Sequence, residues 1–439
     1  MQTLQTLRNA WKVDDIRKKL LFTMFMLLLY RLGNAVTVPY VDTAMLSDYF
    51  KSVSNSIFGW LNTMSGSALE RASLFALSIQ PYINASIIIQ LLTIAIPALE
   101  RMQKEDGEEG KKKLEKITRY STIAIALLQG YGYYVLISQN NMLSPNATGI
   151  WPAFVIIATF IAGSALLMWM GEQITEFGIG NGISVILFAS IVSRFPTQVY
   201  TMIRNIVNGP AADSTTKTPT WWVYGLMLIG ALAIIVLIVV VTNAERRIPV
   251  QYSKRVVGRK MYGGQSTHLP MKVNMSGVLP IIFAQSIASV PATVGVFLPR
   301  FKETWFFKNV FETDKLPYAG LYFLLILFFS YFYSTIQFNP IEIANNLKKN
   351  GGFIPGFRAG KPTSEFIQKV LTKITLFGAL YLAIIAIAPI LISYFSPMAK
   401  DSGISLGGTS IMIVISVALE TIKQLESQLM MRHYKGFLE

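Results

Sequence analysis

The stretch "STHLPMKVNMSGVLPIIFAQSI", Ser266 to Ile287, decides how this chain is read. It leads into an apolar run suited to crossing a membrane, yet it carries Pro270, Lys272, Asn274, Gly277, Pro280 and Gln285. Proline and glycine loosen a helix, and polar side chains in hydrocarbon lack partners. A span written this way is expected to face protein or water rather than lipid.

The surrounding composition agrees with a membrane setting. Of 439 residues, 52% are hydrophobic and only 14% charged, with a mean hydropathy of +0.45. Soluble domains carry about 25% charged residues. Apolar windows of roughly 18 to 25 residues, enough to cross a bilayer, centre near Leu28, Ile88, Leu127, Ile161, Leu187, Ile234, Ile287, Leu327, Ile384 and Val414. The expected fold is an all-α polytopic membrane protein with ten transmembrane helices. The first window follows a basic start, Arg17 to Lys19, but Arg31, Gly33 and Asn34 close it instead of a small-x-small cleavage site. It reads as a retained helix. With no cysteine, neither a disulfide framework nor a thiolate metal site is available.

Lys and Arg cluster before the first window (Arg8 to Lys19), between the second and third (Arg101 to Arg119), between the sixth and seventh (Arg246 to Lys272), between the eighth and ninth (Lys348 to Lys373) and near the end (Lys423, Arg432, Lys435). The positive-inside rule makes that side, with both termini, cytoplasmic. Two of the basic segments are long, about 243–274 and 345–373. They either hold topology and meet anionic lipid or dock an acidic surface such as ribosomal RNA.

Enzyme motifs are missing. Gly110–Lys111 and Gly360–Lys361 lack the rest of a phosphate loop. His268 and His433 are the only histidines, too few and too far apart for a helical metal pair. "GIGNG" (Gly178 to Gly182) has no βαβ context and reads as a tight turn, and Glu172 and Glu176 read as a solvated helix end.

Irregularity inside the apolar runs carries the functional signal. "IQPYINASIIIQ" (Ile79 to Gln90) puts Pro81, Asn84, Ser86 and Gln90 in the second window. Before it, "FGWLNTMSGSALERASLFALS" (Phe58 to Ser78) is rich in small residues but broken by Gly66, Glu70 and Arg71. It is too polar to span and too apolar for an ordinary loop. A short re-entrant helix packed in protein is the favoured reading; an amphipathic helix lying on the bilayer is the other. Broken segments at corresponding places suggest two inverted-repeat halves, 1–200 and 201–439, meeting at a central seam.

The blocks "ASLFALSIQPYINASIIIQLL" (Ala72 to Leu92), "MWMGEQITEFGIGNGIS" (Met168 to Ser184), "QSTHLPMKVNMSGVLP" (Gln265 to Pro280), "FNPIEIANNLKKNGGFIPGFRAGKPT" (Phe338 to Thr363) and "GGTSIMIVI" (Gly407 to Ile415) closely resemble the SecY/Sec61-alpha family. The likeness is collinear over essentially the whole chain. It implies a channel subunit of the plasma membrane that passes unfolded preproteins across and releases hydrophobic segments sideways into lipid. It implies an apolar pore ring at Ile79, Ile83, Ile183, Leu187, Ile282 and Ile413. The spacing supports the first four, since Ile79/Ile83 and Ile183/Leu187 are i, i+4 pairs on one helix face.

By the same likeness, Asn62, Thr63, Met64, Ser65, Gly66, Ser67, Ala68, Leu69, Glu70 and Arg71 form a plug. Ser86, Gln90, Gln129, Asn274, Gln285 and Ser286 are lateral-gate residues. Arg255, Arg259, Lys260 and Arg358 meet cytosolic partners. The implied partners are the small membrane subunits SecE and SecG, the SecA motor ATPase, the ribosome, signal peptides and lipid, with SecDF and YidC as accessory partners. No cofactor or enzymatic activity is implied. A secondary transporter remains a rival, although the centres of the windows are nearly free of the ionisable residues that couple transport. An insertase or scaffold without a through-pore is a second rival.

Overall fold

Asp14 and Asp15 open the first helix, α1 (Asp14–Gly33), and Arg31 sits in its last turn. Both charges complement the helix dipole. The computed structural model of the protein describes residues 8, 10–52, 57–104, 106–145, 147, 149–208, 221–252, 255–257, 260–262, 266–275, 277–297, 304–305, 307–311, 315–395 and 408–435. After α1 come two short helices, α2 (Thr43–Ser52) and α3 (Ile57–Met64). The Asp42 carboxylate caps α2 by accepting from the amides of Ala44 and Met45 at 3.0 and 3.2 Å.

A run of turns over residues 65–79 then leads into α4 (Gln80–Ala95), which has proline in its first turn. Ile96 precedes Pro97 and is pushed into an extended conformation (φ −111, ψ 110). The chain therefore turns by 107° between α4 and α5 (Pro97–Lys104).

Longer helices follow. The 33 residues of α6 (Gly107–Gln139) make a rod of about 50 Å, longer than the roughly 30 Å of hydrocarbon. Its lysine-rich first turns, Lys111 to Lys113, accordingly stand exposed. The succession continues with α7 (Ile150–Phe177), α8 (Gly182–Val192), α9 (Phe195–Asn208), α10 (Trp221–Asn243), α11 (Leu279–Phe297), α12 (Leu316–Gln337), α13 (Pro340–Lys349), α14 (Lys361–Phe395) and α15 (Gly408–Lys435). All ten expected apolar windows centre on helical residues. Among the described residues, five helical stretches are long and apolar enough to cross a bilayer, or six if the bent pair α4–α5 is counted as one span. Leu228–Asn243 and Leu279–Gly295 are shorter apolar helices.

The molecule is mostly helical, as expected, and adds a few short strands outside the apolar helices. The segment after α10 forms β1 (Glu245–Tyr252), β2 (Arg255–Val257), β3 (Lys260–Tyr262) and β4 (Ser266–Lys272), and β5 (Gly352–Phe353) follows α13. The three-stranded antiparallel sheet has the order β4-β1-β5. Ile248 pairs with Leu269, Pro249 with His268, and Gln251 with both Ser266 and Phe353. Pro270 is tolerated because β4 is an edge strand. Ile248 and Val250 point inward from β1 and pack with Met271, Ile354, Ile367 and Leu371. The two long basic loops are thereby fused into one module. The opening stretch is thus a strand up to Lys272, a bend through Asn274, and a helix only from Leu279.

The "GIGNG" turn joins α7 to α8. Gly180 takes φ +87, and the Asn181 side chain caps α8 by accepting from Ile183 and Ser184. At Gly182 the two helices meet so closely that an added Cβ would lie 1.9 Å from the Gly171 carbonyl oxygen. Gly182→Val is therefore expected to force the helices apart at a cost of about 1–3 kcal/mol. A lower melting temperature in detergent would be its signature, and an unchanged one would contradict this account of the crossing.

Candidate functional site

Residues 62–70 fold into a compact loop that satisfies itself. Asn62 donates from Nδ2 to Glu70 Oε2 (2.7 Å) and accepts the Glu70 amide on Oδ1 (3.1 Å), closing the loop at both ends. Ser65 Oγ donates to the Asn62 carbonyl and accepts the Leu69 amide. The Ser67 amide also reaches the Asn62 carbonyl. Gly66 takes φ +68 and passes so near α8 that a Cβ there would sit 2.9 Å from the Ser190 carbonyl oxygen, a position only glycine fills without strain. Where a short helix was expected over 58–78, helix is limited to α3, and beyond Met64 the backbone proceeds in turns.

Three side chains, two from helices and one from a helix break, tie this loop to the bundle. The Tyr30 hydroxyl of α1 bonds Ser190 Oγ at 2.7 Å and donates to the Ser65 carbonyl at 3.3 Å. The Tyr133 hydroxyl of α6 donates to the Leu69 carbonyl. Arg194, in the break between α8 and α9, donates from Nη1 to Thr63 Oγ1 at 2.7 Å. Asn62 to Gly66, Ala68 and Leu69 are buried, whereas Arg71 is exposed. None of the three anchors stood out in the sequence, because the partner of each is far away in the chain.

Beside the loop lies the main apolar cluster. It contains Ile79, Ile83, Leu187, Ile282 and Ile413, all buried, with Ile183 packed against them. These come from the start of α4 and from α8, α11 and α15. Ile79 is the N-cap of α4 and its carbonyl accepts the Ile83 amide, so the two stack one turn apart. Met64 of the loop enters the same cluster.

A seam runs where α11 meets α4 and α6. Gln80 Nε2 donates to Ser286 Oγ at 3.3 Å across it, buried on both sides. Gln90 lies beside the Tyr333 hydroxyl of α12. A cavity of about 80 Å³ sits between loop and seam, lined by Leu61, Leu69, Gln80, Gln129, Tyr133 and Ser289 among others. Ser86 is half-buried on α4. Gln285 turns to Tyr318 of α12 at 3.4 Å instead of across the seam. Asn274 precedes α11 and packs beside Gly378 of α14, with neither side-chain polar atom hydrogen-bonded. Gln80, which sequence reasoning passed over, is thus the direct link; its one signal was a polar residue beside Pro81 at a helix start.

At the other end of the bundle, the sheet module exposes Arg246, Arg247, Lys348, Lys349, Arg358 and Lys361. Thr363 Oγ1 donates to the Arg358 carbonyl at 2.7 Å, fixing the backbone there and leaving the guanidinium outward. Arg255 and Lys260 belong to the small β2–β3 ribbon. Arg259 lies outside the described residues.

Comparison with known proteins bears on this arrangement. The family model described as SecY matches residues 73–422. A protein translocase subunit SecY of Streptomyces scabiei is 43% identical over 448 residues, covering 99% of this chain and 100% of its own. Among solved structures, a SecY protein whose plug domain stabilises the closed state of its translocation channel and maintains a membrane seal superposes with a TM-score of 0.58 at 16% identity. It covers 94% of this chain and 92% of its own. Sec61 in the canine ribosome–channel complex from the endoplasmic reticulum gives 0.57 at 16% identity, with the same coverage.

The Tyr133 bond yields a measurable expectation. Tyr133→Phe strands a buried carbonyl at Leu69, which costs about 1–3 kcal/mol. Faster proteolytic cleavage within residues 62–71 is expected; cleavage at the wild-type rate would show that the bond does not hold the loop.

Proposed function

The chain belongs to the SecY family of protein translocase channel subunits, and from that premise we propose that it conducts unfolded preproteins across the plasma membrane through a seam that also opens towards lipid. Ten membrane crossings, in halves 1–200 and 201–439 with both termini cytoplasmic, form the channel. Its constriction is the ring of Ile79, Ile83, Ile183, Leu187, Ile282 and Ile413. The observation that supports this reading is that all six belong to the main apolar cluster, five buried in it and Ile183 packed against it, with the 62–71 loop entering it through Met64. A narrow branched-aliphatic constriction dewets and excludes ions when closed. The loop acts as its plug.

The lateral gate lies between α4 and α6 on one side and α11 and α12 on the other. Gln80–Ser286 and Gln90 beside Tyr333 are its polar contacts. A signal peptide, a helix about 10–12 Å across, enters by parting these contacts. Interhelical polar contacts in membranes average about 0.6 kcal/mol, weak enough to exchange for a signal sequence.

The basic module supplies the cytosolic face. Its exposed arginines and lysines suit an acidic protein or RNA surface, here the SecA motor and the ribosome. ATP hydrolysis falls to the motor, consistent with a sequence that has no phosphate loop. SecE and SecG associate in the membrane, and SecDF and YidC act as accessory partners. The transporter alternative is not favoured, since the relatives are translocase subunits.

Two measurements test this reading. Gln80→Leu should raise translocation of a substrate with a defective signal sequence about threefold, leaving an intact signal sequence little changed; unchanged discrimination would remove the seam from the mechanism. In proteoliposomes containing the small subunits and the motor, the wild type should carry a preprotein to a protease-protected site. Arg358→Glu should insert and fold normally but lose motor-driven transport, and normal transport by that variant would refute the docking assignment.

A further inference from the structure

The three anchors of the 62–70 loop differ in kind. Tyr30 and Tyr133 are neutral hydroxyls that reach main-chain carbonyls. Arg194 is charged, reaches a side chain, and stands where α8 gives way to α9. Its backbone is fixed on both sides: its amide donates to the Ile191 carbonyl and its own carbonyl accepts the Gln198 amide. The guanidinium is therefore presented from a rigid corner.

The other end of the contact is rigid too. Thr63 Oγ1, while accepting from Arg194, donates to the Gly59 carbonyl at 3.0 Å, so the hydroxyl is polarised to accept. The neighbouring residue, Asn62, holds the Glu70 carboxylate, and that carboxylate attracts Arg194 electrostatically. One cation thus grips the loop through a hydroxyl at one edge and acts on a fixed carboxylate at the other. Arg194 lies at a partly exposed corner between exposed Val192 and Phe195, although its surroundings desolvate the guanidinium while the loop is in place. When the loop leaves, its charge is solvated instead of being stranded in apolar surroundings, the large penalty that would otherwise resist opening.

Building on the channel reading above, we propose that Arg194 is the positioning residue that latches the 62–70 plug loop closed through its bond to Thr63, releasing it without leaving a buried charge behind. Hydrogen bonds to charged groups are the strongest of the anchors available to the loop. Loss of this one is expected to change loop exposure more than loss of either tyrosine. Since only one Nη contacts the hydroxyl, the geometry asks for a cationic donor and not a planar fork, so lysine should substitute.

The chain has no cysteine, which makes a direct test available. Ala68→Cys places a single thiol at a buried position of the loop, and Ile326→Cys serves as a buried control in α12. Both are read by labelling with a charged, membrane-impermeant maleimide in proteoliposomes with the small subunits and motor. Arg194→Ala should raise the labelling rate at Ala68→Cys by about tenfold or more, while Ile326→Cys stays protected. Arg194→Lys should restore most of the protection, and Thr63→Val should reproduce the alanine effect without touching the arginine. If Arg194→Ala and Thr63→Val both leave labelling unchanged while an arrested preprotein exposes Ala68→Cys, the latch is wrong and the plug reading stands. If the arrested preprotein does not expose it either, the plug reading falls and the latch with it. Where Arg194→Ala also exposes Ile326→Cys, the whole fold has loosened, and the result with Thr63→Val then decides.

Discussion

A peptide group at membrane depth has no water to turn to, and each one left unpaired costs several kcal/mol. That constraint governs this molecule most strongly at residues 65–79, where the chain is neither helix nor strand. The stretch persists because its own side chains close it, Asn62 to Glu70 and Ser65 to Leu69, and because Tyr30 and Tyr133 take carbonyls that the turns leave open. Its turns are thus held partly from within and partly by the helices around them. A regular helix in the same place would need a longer axis and would contact its neighbours along a continuous face.

The balance of forces elsewhere follows the same logic. Apolar side chains at the middle of the bundle gain nothing over lipid from hydrophobicity alone, so helix association there depends on close fit and on a few interhelical bonds. Where the approach is tight, as at Gly171 and Gly182, α7 and α8 are closely fitted to one another. Where α11 meets α4, Gln80 bonds Ser286 at 3.3 Å beside a cavity that Gln80 and Ser289 line. Away from the apolar layer, water returns, charge becomes affordable, and the sheet module carries its arginines on an ordinary small core of Ile248, Val250, Met271 and Ile367.

Much of this was legible in the sequence, for identifiable reasons. Apolar windows of membrane length announce helices wherever they occur, and each of the ten centres is helical. Gly180 and Asn181 encode the turn between α7 and α8 by conformational freedom and capping. The small-residue run at 62–69 betrayed a packed, irregular segment. The sheet was hidden because in "ERRIPVQY" the inward residues, Ile248 and Val250, are only two, and the charges around them read as a cytoplasmic loop. Asn274 stands before the helix that starts at Leu279, and Gln285 lies within it. Arg194 and Tyr133 depend on partners 131 and 64 positions away, a distance no local pattern encodes.

The central claim is that the six apolar side chains surround the path of a translocating polypeptide. Single photo-reactive residues at Ile79, Ile83, Ile183, Leu187, Ile282 and Ile413, compared with outward-facing Leu324 and Ile384, test it with a preprotein arrested midway. The account predicts crosslinks from the six positions to the arrested chain and none from Leu324 or Ile384. Crosslinking from the outward positions alone, or from none of the six, would contradict it.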